Sequence, residues 1–194
     1  MTNKTLTEKE MFEKFGAQKE HAQQVEKYAE KILDALNECG FTNFSQREKQ
    51  YLKTAALLHD IGYHIDKKAH HKHTMNLILE YGLEGFDEEE TKLIANIARY
   101  HRSSFPNEEK HKNYAALSVE QKKLVSRLGA ILRIADGMDK PDKNLILRVQ
   151  AQQTQDSIDF YLKTIGFKPK LKMAQEKSDL FQEVFKKQVN FNFL

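Results

Sequence analysis

The chain has 194 residues, of which 40% are apolar and 30% charged, a mixture that excludes disorder, collagen and a disulfide-stapled miniprotein. Thirty-one basic against 28 acidic residues leave a net charge of +3, too even a balance to be a nucleic-acid footprint in itself. A single cysteine, Cys39, rules out a disulfide framework or a cysteine-rich metal site. The chain also lacks an apolar run of the ~18 residues that a membrane-spanning helix needs. Its N-terminus is polar and amphipathic, without the apolar core of a signal peptide, so a cytoplasmic protein is expected.

The first proline is Pro106, and the region before it reads as helices. Over residues 21–36 the apolar positions Val25, Tyr28, Ala29, Ile32, Leu33 and Leu36 recur at helical spacing, and Gly40 marks the stop. A second helix is expected over 46–60, with Leu52, Ala55, Ala56 and His59 on one face. A third covers 70–81 and ends at Gly82. A fourth opens at Asp87, with Glu90 completing a capping box, and runs to about Tyr100. A fifth starts at Ser118 and runs through Leu128, Ile131 and Ala135 to Met138.

After Pro141 the pattern changes. Residues 145–149 and 158–162 are β-prone runs around a polar stretch, 152–157, and predict a hairpin. A helical pattern over 178–187 follows, then the alternating strand 189–193. The expectation is a mostly α protein: a helical body over 1–141 and a small α+β appendage over 142–194. The last strand, at a sheet edge, could pair with a second copy to give a homodimer.

Five of the helices carry a metal-ligand type of residue on or beside the inward face: His21, His59 with adjacent Asp60, His70, His101 and Asp136. Singly, each reads more simply as a hydrogen-bonded polar residue. Together they matter more, because an unpaired carboxylate in an apolar interior costs several kcal/mol. Imidazole and carboxylate suit Zn, Mn, Fe and similar divalent ions.

The order H…HD…H…H…D resembles the HD-domain metal-dependent phosphohydrolases. The matching segments are HAQQVEKYAEKIL with His21, AALLHDIGYHI with His59 and Asp60, and LGAILRIADGMDK with Asp136. AALLHDIGYHI, AHHKHTMNLIL, IANIARYHRSSFP and ILRIADGMDK are together similar to the C-terminal domain of the exopolyphosphatase/guanosine pentaphosphate phosphohydrolase family, over residues 17–141.

The resemblance implies a helical HD fold and a site for one or two divalent ions (Mn, Fe, Zn or Mg). His21, His59, Asp60 and Asp136 would be the primary ligands, with Asp60 also the catalytic bridging carboxylate. His70 and His101 would complete a second metal site, with His71 and His73 as alternatives to His70. Arg102, Arg133 and Lys140 would bind substrate phosphates, the other reading being exposed charges flanking helices. Two departures limit the carry-over. The sequence has no counterpart of the family's N-terminal ATPase-fold subdomains and no Gly-rich phosphate loop, so exopolyphosphatase activity is not expected. The lysine that often follows the His-Asp pair is replaced by Tyr63 and His64, with Lys67 or Lys68 as distant substitutes.

The function expected is hydrolysis of a small phosphorylated substrate, a nucleotide foremost, by a metal-activated water. A non-catalytic module binding polyphosphate, nucleotide or a protein partner is the alternative. Nucleic-acid cleavage is disfavoured by the charge balance and by the lack of a basic, aromatic-interleaved stripe.

Overall fold

The computed structural model describes residues 5–16, 18–102, 104–139, 146–166 and 168–194. The helical body comprises α1 (Glu8–Phe15), α2 (Lys19–Glu38), α3 (Gln46–Leu58), α4 (His70–Tyr81), α5 (Glu88–Arg99), the short α6 (Lys112–Ala115) and α7 (Val119–Met138). Strands β1 (Ile146–Gln153) and β2 (Ser157–Thr164) follow, then the short helices α8 (Lys172–Glu176) and α9 (Asp179–Phe185), and strand β3 (Gln188–Phe193). The protein is mostly helical with a small C-terminal sheet, as the sequence pattern predicts.

Local chemistry explains the helix starts. Ser45, Asp87 and Ser118 each cap their helix through the side chain and donate their own backbone N–H to the side chains of Glu48, Glu90 and Gln121. Thr7 and Glu10 do the same for α1, a helix absent from the periodicity reading because only Met11 and Phe15 are buried along it. In α2 the spaced apolar set Val25, Tyr28, Ala29, Ile32, Leu33 and Leu36 is fully buried against α3 and α7. The second half of α7 is buried nearly all round, which makes it the central helix, touched by α2, α3, α5, α8 and α9.

Helix α3 ends at Leu58, two residues short of the sequence expectation. A 3₁₀ turn over Ile61–His64 follows, because the chain passes too close to α4 to continue as a helix. A Cβ on Gly62 would stand 2.0 Å from the His70 carbonyl oxygen. The Gly62 N–H donates instead to the Thr74 hydroxyl at 3.0 Å, which in turn donates to the His59 carbonyl at 2.8 Å.

The sheet has the order β1-β2-β3, with β1 and β2 antiparallel and β2 and β3 parallel, so β3 lies at an edge. The polar turn is shorter than the sequence suggests, because the Thr154 hydroxyl accepts the Ser157 N–H at 2.9 Å and lets the strands extend inward. Helix α8 carries one buried residue, Ala174, too few for a periodic signal. Residues Ile146, Val149, Ile158, Phe160, Leu162 and Val189 join the same hydrophobic core as the helical body. The sequence-level domain boundary at 141/142 lies outside the described residues. Among the described residues, no helix is long and apolar enough to cross a membrane.

The C-terminal segment docks on α7 at Gly137, where an added Cβ would lie 2.7 Å from the Ala174 Cα. Gly137→Ala is therefore expected to destabilise the fold by about 1–3 kcal/mol, since backbone rather than a mobile side chain must give way. Urea unfolding monitored by circular dichroism measures it.

Candidate metal centre

Each of four histidines is fixed through its outward nitrogen. The Nδ1–H of His59 donates to the Ala56 carbonyl at 2.7 Å, that of His70 to Lys67 at 2.9 Å, and that of His101 to Ala98 at 2.7 Å. A carbonyl has no proton to give, so a proton sits on Nδ1, and the tautomer so fixed is the one whose neutral form has its lone pair at Nε2. The fourth, His21, is held through Nδ1 by the Asp139 carboxylate at 2.6 Å.

All four Nε2 atoms converge. Those of His59 and His21 are 3.3 Å apart and those of His70 and His101 3.0 Å. Lone pairs facing at such distances repel unless a proton or a metal cation stands between them. Between the two pairs lies Asp60, and its oxygens divide. Oδ1 is 3.1 Å from His70 Nε2 and 3.4 Å from His101 Nε2. Oδ2 is 3.4 Å from His59 Nε2 and 3.7 Å from His21 Nε2. Asp136 Oδ1 completes the second set, 3.5 Å from His21 Nε2. Within His21, His59 and Asp136, and again within His59, Asp60 and His101, the donor atoms lie no more than 4.8 Å from one another.

His59, His70 and His101 are buried, whereas Asp60, Asp136 and His21 are 14%, 11% and 21% exposed at the side chain. The cluster thus has a closed floor and an open rim. Burial opposes the charge of Asp60, but His59, the His70 hydrogen bond and His101 hold its carboxyl well below the usual range. Asp136 is likewise held down against burial by His21 and by the Lys177 ammonium, which donates to its Oδ2. Burial, foremost, and the neighbouring His59 ring push His101 down to about 3. His21 goes the other way: burial disfavours its cation, yet the Asp136 and Asp139 carboxylates raise it to about 10.

The structure brings together His21, His59, Asp60, His70, His101 and Asp136. Of the alternatives to His70, His71 turns its ring edge to His70 at 5.9 Å, and His73 is half-buried on the next part of the turn. Tyr63 stacks on the His70 ring with centroids 4.0 Å apart, and His64 packs against Phe15. The side chains of Lys67 and Lys68 are exposed; Lys67 serves through its carbonyl.

Arg102 is exposed, with its charge felt by Tyr63 and His71. Arg133 is buried and ion-paired with Asp179 at 2.7 Å. Lys140 lies outside the described residues. Sequence reasoning missed Asp139, although a second carboxylate one turn past Asp136 was a signal for it. It also missed Thr74 and Lys177, the latter 41 residues from its partner and without any local sign.

The donor set of imidazoles and carboxylates suits Mn, Fe or Zn better than Mg, which favours oxygen. The outward Nδ1 anchors are the supporting bonds that metal-ligating histidines ordinarily make. A family model described as Ppx/GppA phosphatase, domain III, matches residues 4–183, a span that includes every residue of the cluster.

In metal-free protein, His21 has a pKa raised from 6.5 to about 10 by folding. Its protonation therefore stabilises the fold fully below pH 6.5, and the contribution is lost as pH rises through about 10. The melting temperature in chelator is expected to fall across that window, and His21→Ala is expected to flatten the decline. Thermal unfolding at stepped pH provides the comparison.

Proposed function

This chain belongs to the Ppx/GppA phosphatase domain III family, and on that premise we propose that it is an HD-type, divalent-metal-dependent phosphohydrolase acting on a small phosphorylated substrate such as a nucleotide. The observation that carries the reading is the convergence of four Nε2 atoms on a carboxylate whose two oxygens face different histidine pairs.

His21, His59, Asp136 and Asp60 Oδ2 would hold one ion, and His70, His101 and Asp60 Oδ1 a second, with Asp60 bridging. Divalent ions bound there supply Lewis acidity, lowering the pKa of water and offsetting charge on phosphoryl oxygens. The protein's own groups do the rest. Backbone carbonyls keep the imidazoles aimed inward before any ligand arrives, so little reorganisation accompanies binding. The buried floor of His59, His70 and His101 excludes bulk water beneath the site. The phosphoryl group approaches from the rim, where His21, Asp60 and Asp136 are partly exposed. Arg102 is an exposed cation through which a phosphate can be steered there.

A non-catalytic binding module is favoured by one observation, the Lys177 ammonium on Asp136, which answers that carboxylate from within the chain. Metal content separates the two readings. One or two equivalents of Mn, Fe or Zn are expected in protein purified without chelator, with metal-dependent phosphate release from nucleotides. Asp60→Ala is expected to lose both ions and to lower phosphate release by roughly 100-fold or more. His101→Ala should lose one ion and keep the other. Retention of full metal-dependent release by Asp60→Ala would refute the catalytic assignment.

A further inference from the structure

Helix α7 and the C-terminal segment are joined by two crossed ion pairs. Arg133 of α7 donates to Asp179 at 2.7 Å, and Lys177 of the segment donates to Asp136 of α7. The backbone of Lys177 is fixed: it caps α8 with its N–H on the Met173 carbonyl at 2.9 Å. The next residue, Ser178, is fully buried, with its hydroxyl on the Gln175 carbonyl at 2.7 Å.

The two cations differ in freedom. The Arg133 side chain is 3% exposed and sits beneath the Phe105 ring, its guanidinium carbon 5.3 Å from the ring centroid. Lys177 is 22% exposed at the rim, on a flexible four-carbon stem. Asp136 is therefore used from both sides. Oδ1 faces His21 within the donor cluster, and Oδ2 holds the ammonium at the solvent edge. A divalent cation on Oδ1 and the ammonium on Oδ2 repel one another across a single carboxylate, and only the lysine can move away.

We propose that Lys177, delivered by the C-terminal segment, is the substrate-binding cation of the site: in the metal-loaded protein its ammonium leaves Asp136 for the phosphoryl oxygens of the bound substrate. This rests on the metal-centre reading above. It makes the segment beyond the helical body part of the site rather than an accessory to it. It also assigns to Lys177 the phosphate contact that Arg133, 3% exposed beneath Phe105 and tied through Nη2 to Asp179, is poorly placed to make.

The test compares full-length wild type with Lys177→Met and Lys177→Arg, measuring Mn²⁺ binding by calorimetry and inorganic phosphate binding to the Mn²⁺-loaded proteins. Lys177→Met is expected to bind Mn²⁺ at least as tightly as wild type, because a neighbouring positive charge is gone. Its phosphate affinity should fall about 10-fold or more, and Lys177→Arg should recover most of that loss. A merely structural pin predicts that both affinities fall together in Lys177→Met, and that result, or an unchanged phosphate affinity, overturns the proposal. Acetic anhydride labelling of wild type, read by mass spectrometry, needs no variant. Mn²⁺ should raise modification of Lys177 and added phosphate should lower it; labelling indifferent to phosphate overturns the proposal as well. Wild type that takes up no Mn²⁺ refutes the metal centre and this assignment together, whereas Mn²⁺ uptake with phosphate binding independent of Lys177 refutes this assignment alone.

Discussion

Four imidazole rings, each anchored outward through Nδ1 and open inward at Nε2, set the terms on which the rest of this fold is built. Burying Asp60 and Asp136 among them would cost several kcal/mol for each unpaired carboxylate. The cost is offset by the histidines and by Lys177, all within reach of the two carboxylates. Reaching that arrangement requires α2, α3, α4, α5 and α7 to deliver ends or faces to one point. The close approach of the chain to α4 at Gly62 and of the C-terminal segment to α7 at Gly137 serve that convergence.

The backbone around the centre does as much as the side chains. His59 is the residue at which α3 ends, and its carbonyl is satisfied by the Thr74 hydroxyl rather than by a further helical turn. This lets Asp60 turn away from the helix axis and place one oxygen toward each histidine pair. The carbonyls of Ala56 and Ala98, each three residues before a ligand-type histidine, act as its anchors. A helix end, where carbonyls lack intrahelical partners, is thus a natural place to orient an imidazole.

Membership of the phosphatase family and the shape of the donor cluster point the same way. The fold gathers imidazole donors on a buried floor and leaves the carboxylates and the Lys177 ammonium at the partly exposed edge. On the proposed reading, bound divalent ions and the Lys177 ammonium would supply the positive charge that an anionic phosphoryl substrate requires beside the rim carboxylates.

By itself the sequence determined the helical body, its helix starts at Asp87 and Ser118, the hairpin-helix-strand order of the tail, and which residue types would face inward. These are local properties, written in spacing and in side chains that bond to their own helix ends. Short elements such as α6 and α8 escaped because a helix of one turn has no period to detect. Only the tertiary structure brought His70 against Asp60 and His101, since three histidines within four positions differ by angles around a helix that packing must resolve. Only it, too, placed Lys177 on Asp136 and tied Arg133 to Asp179, because an ion pair spanning more than 40 residues leaves no periodic trace in either partner.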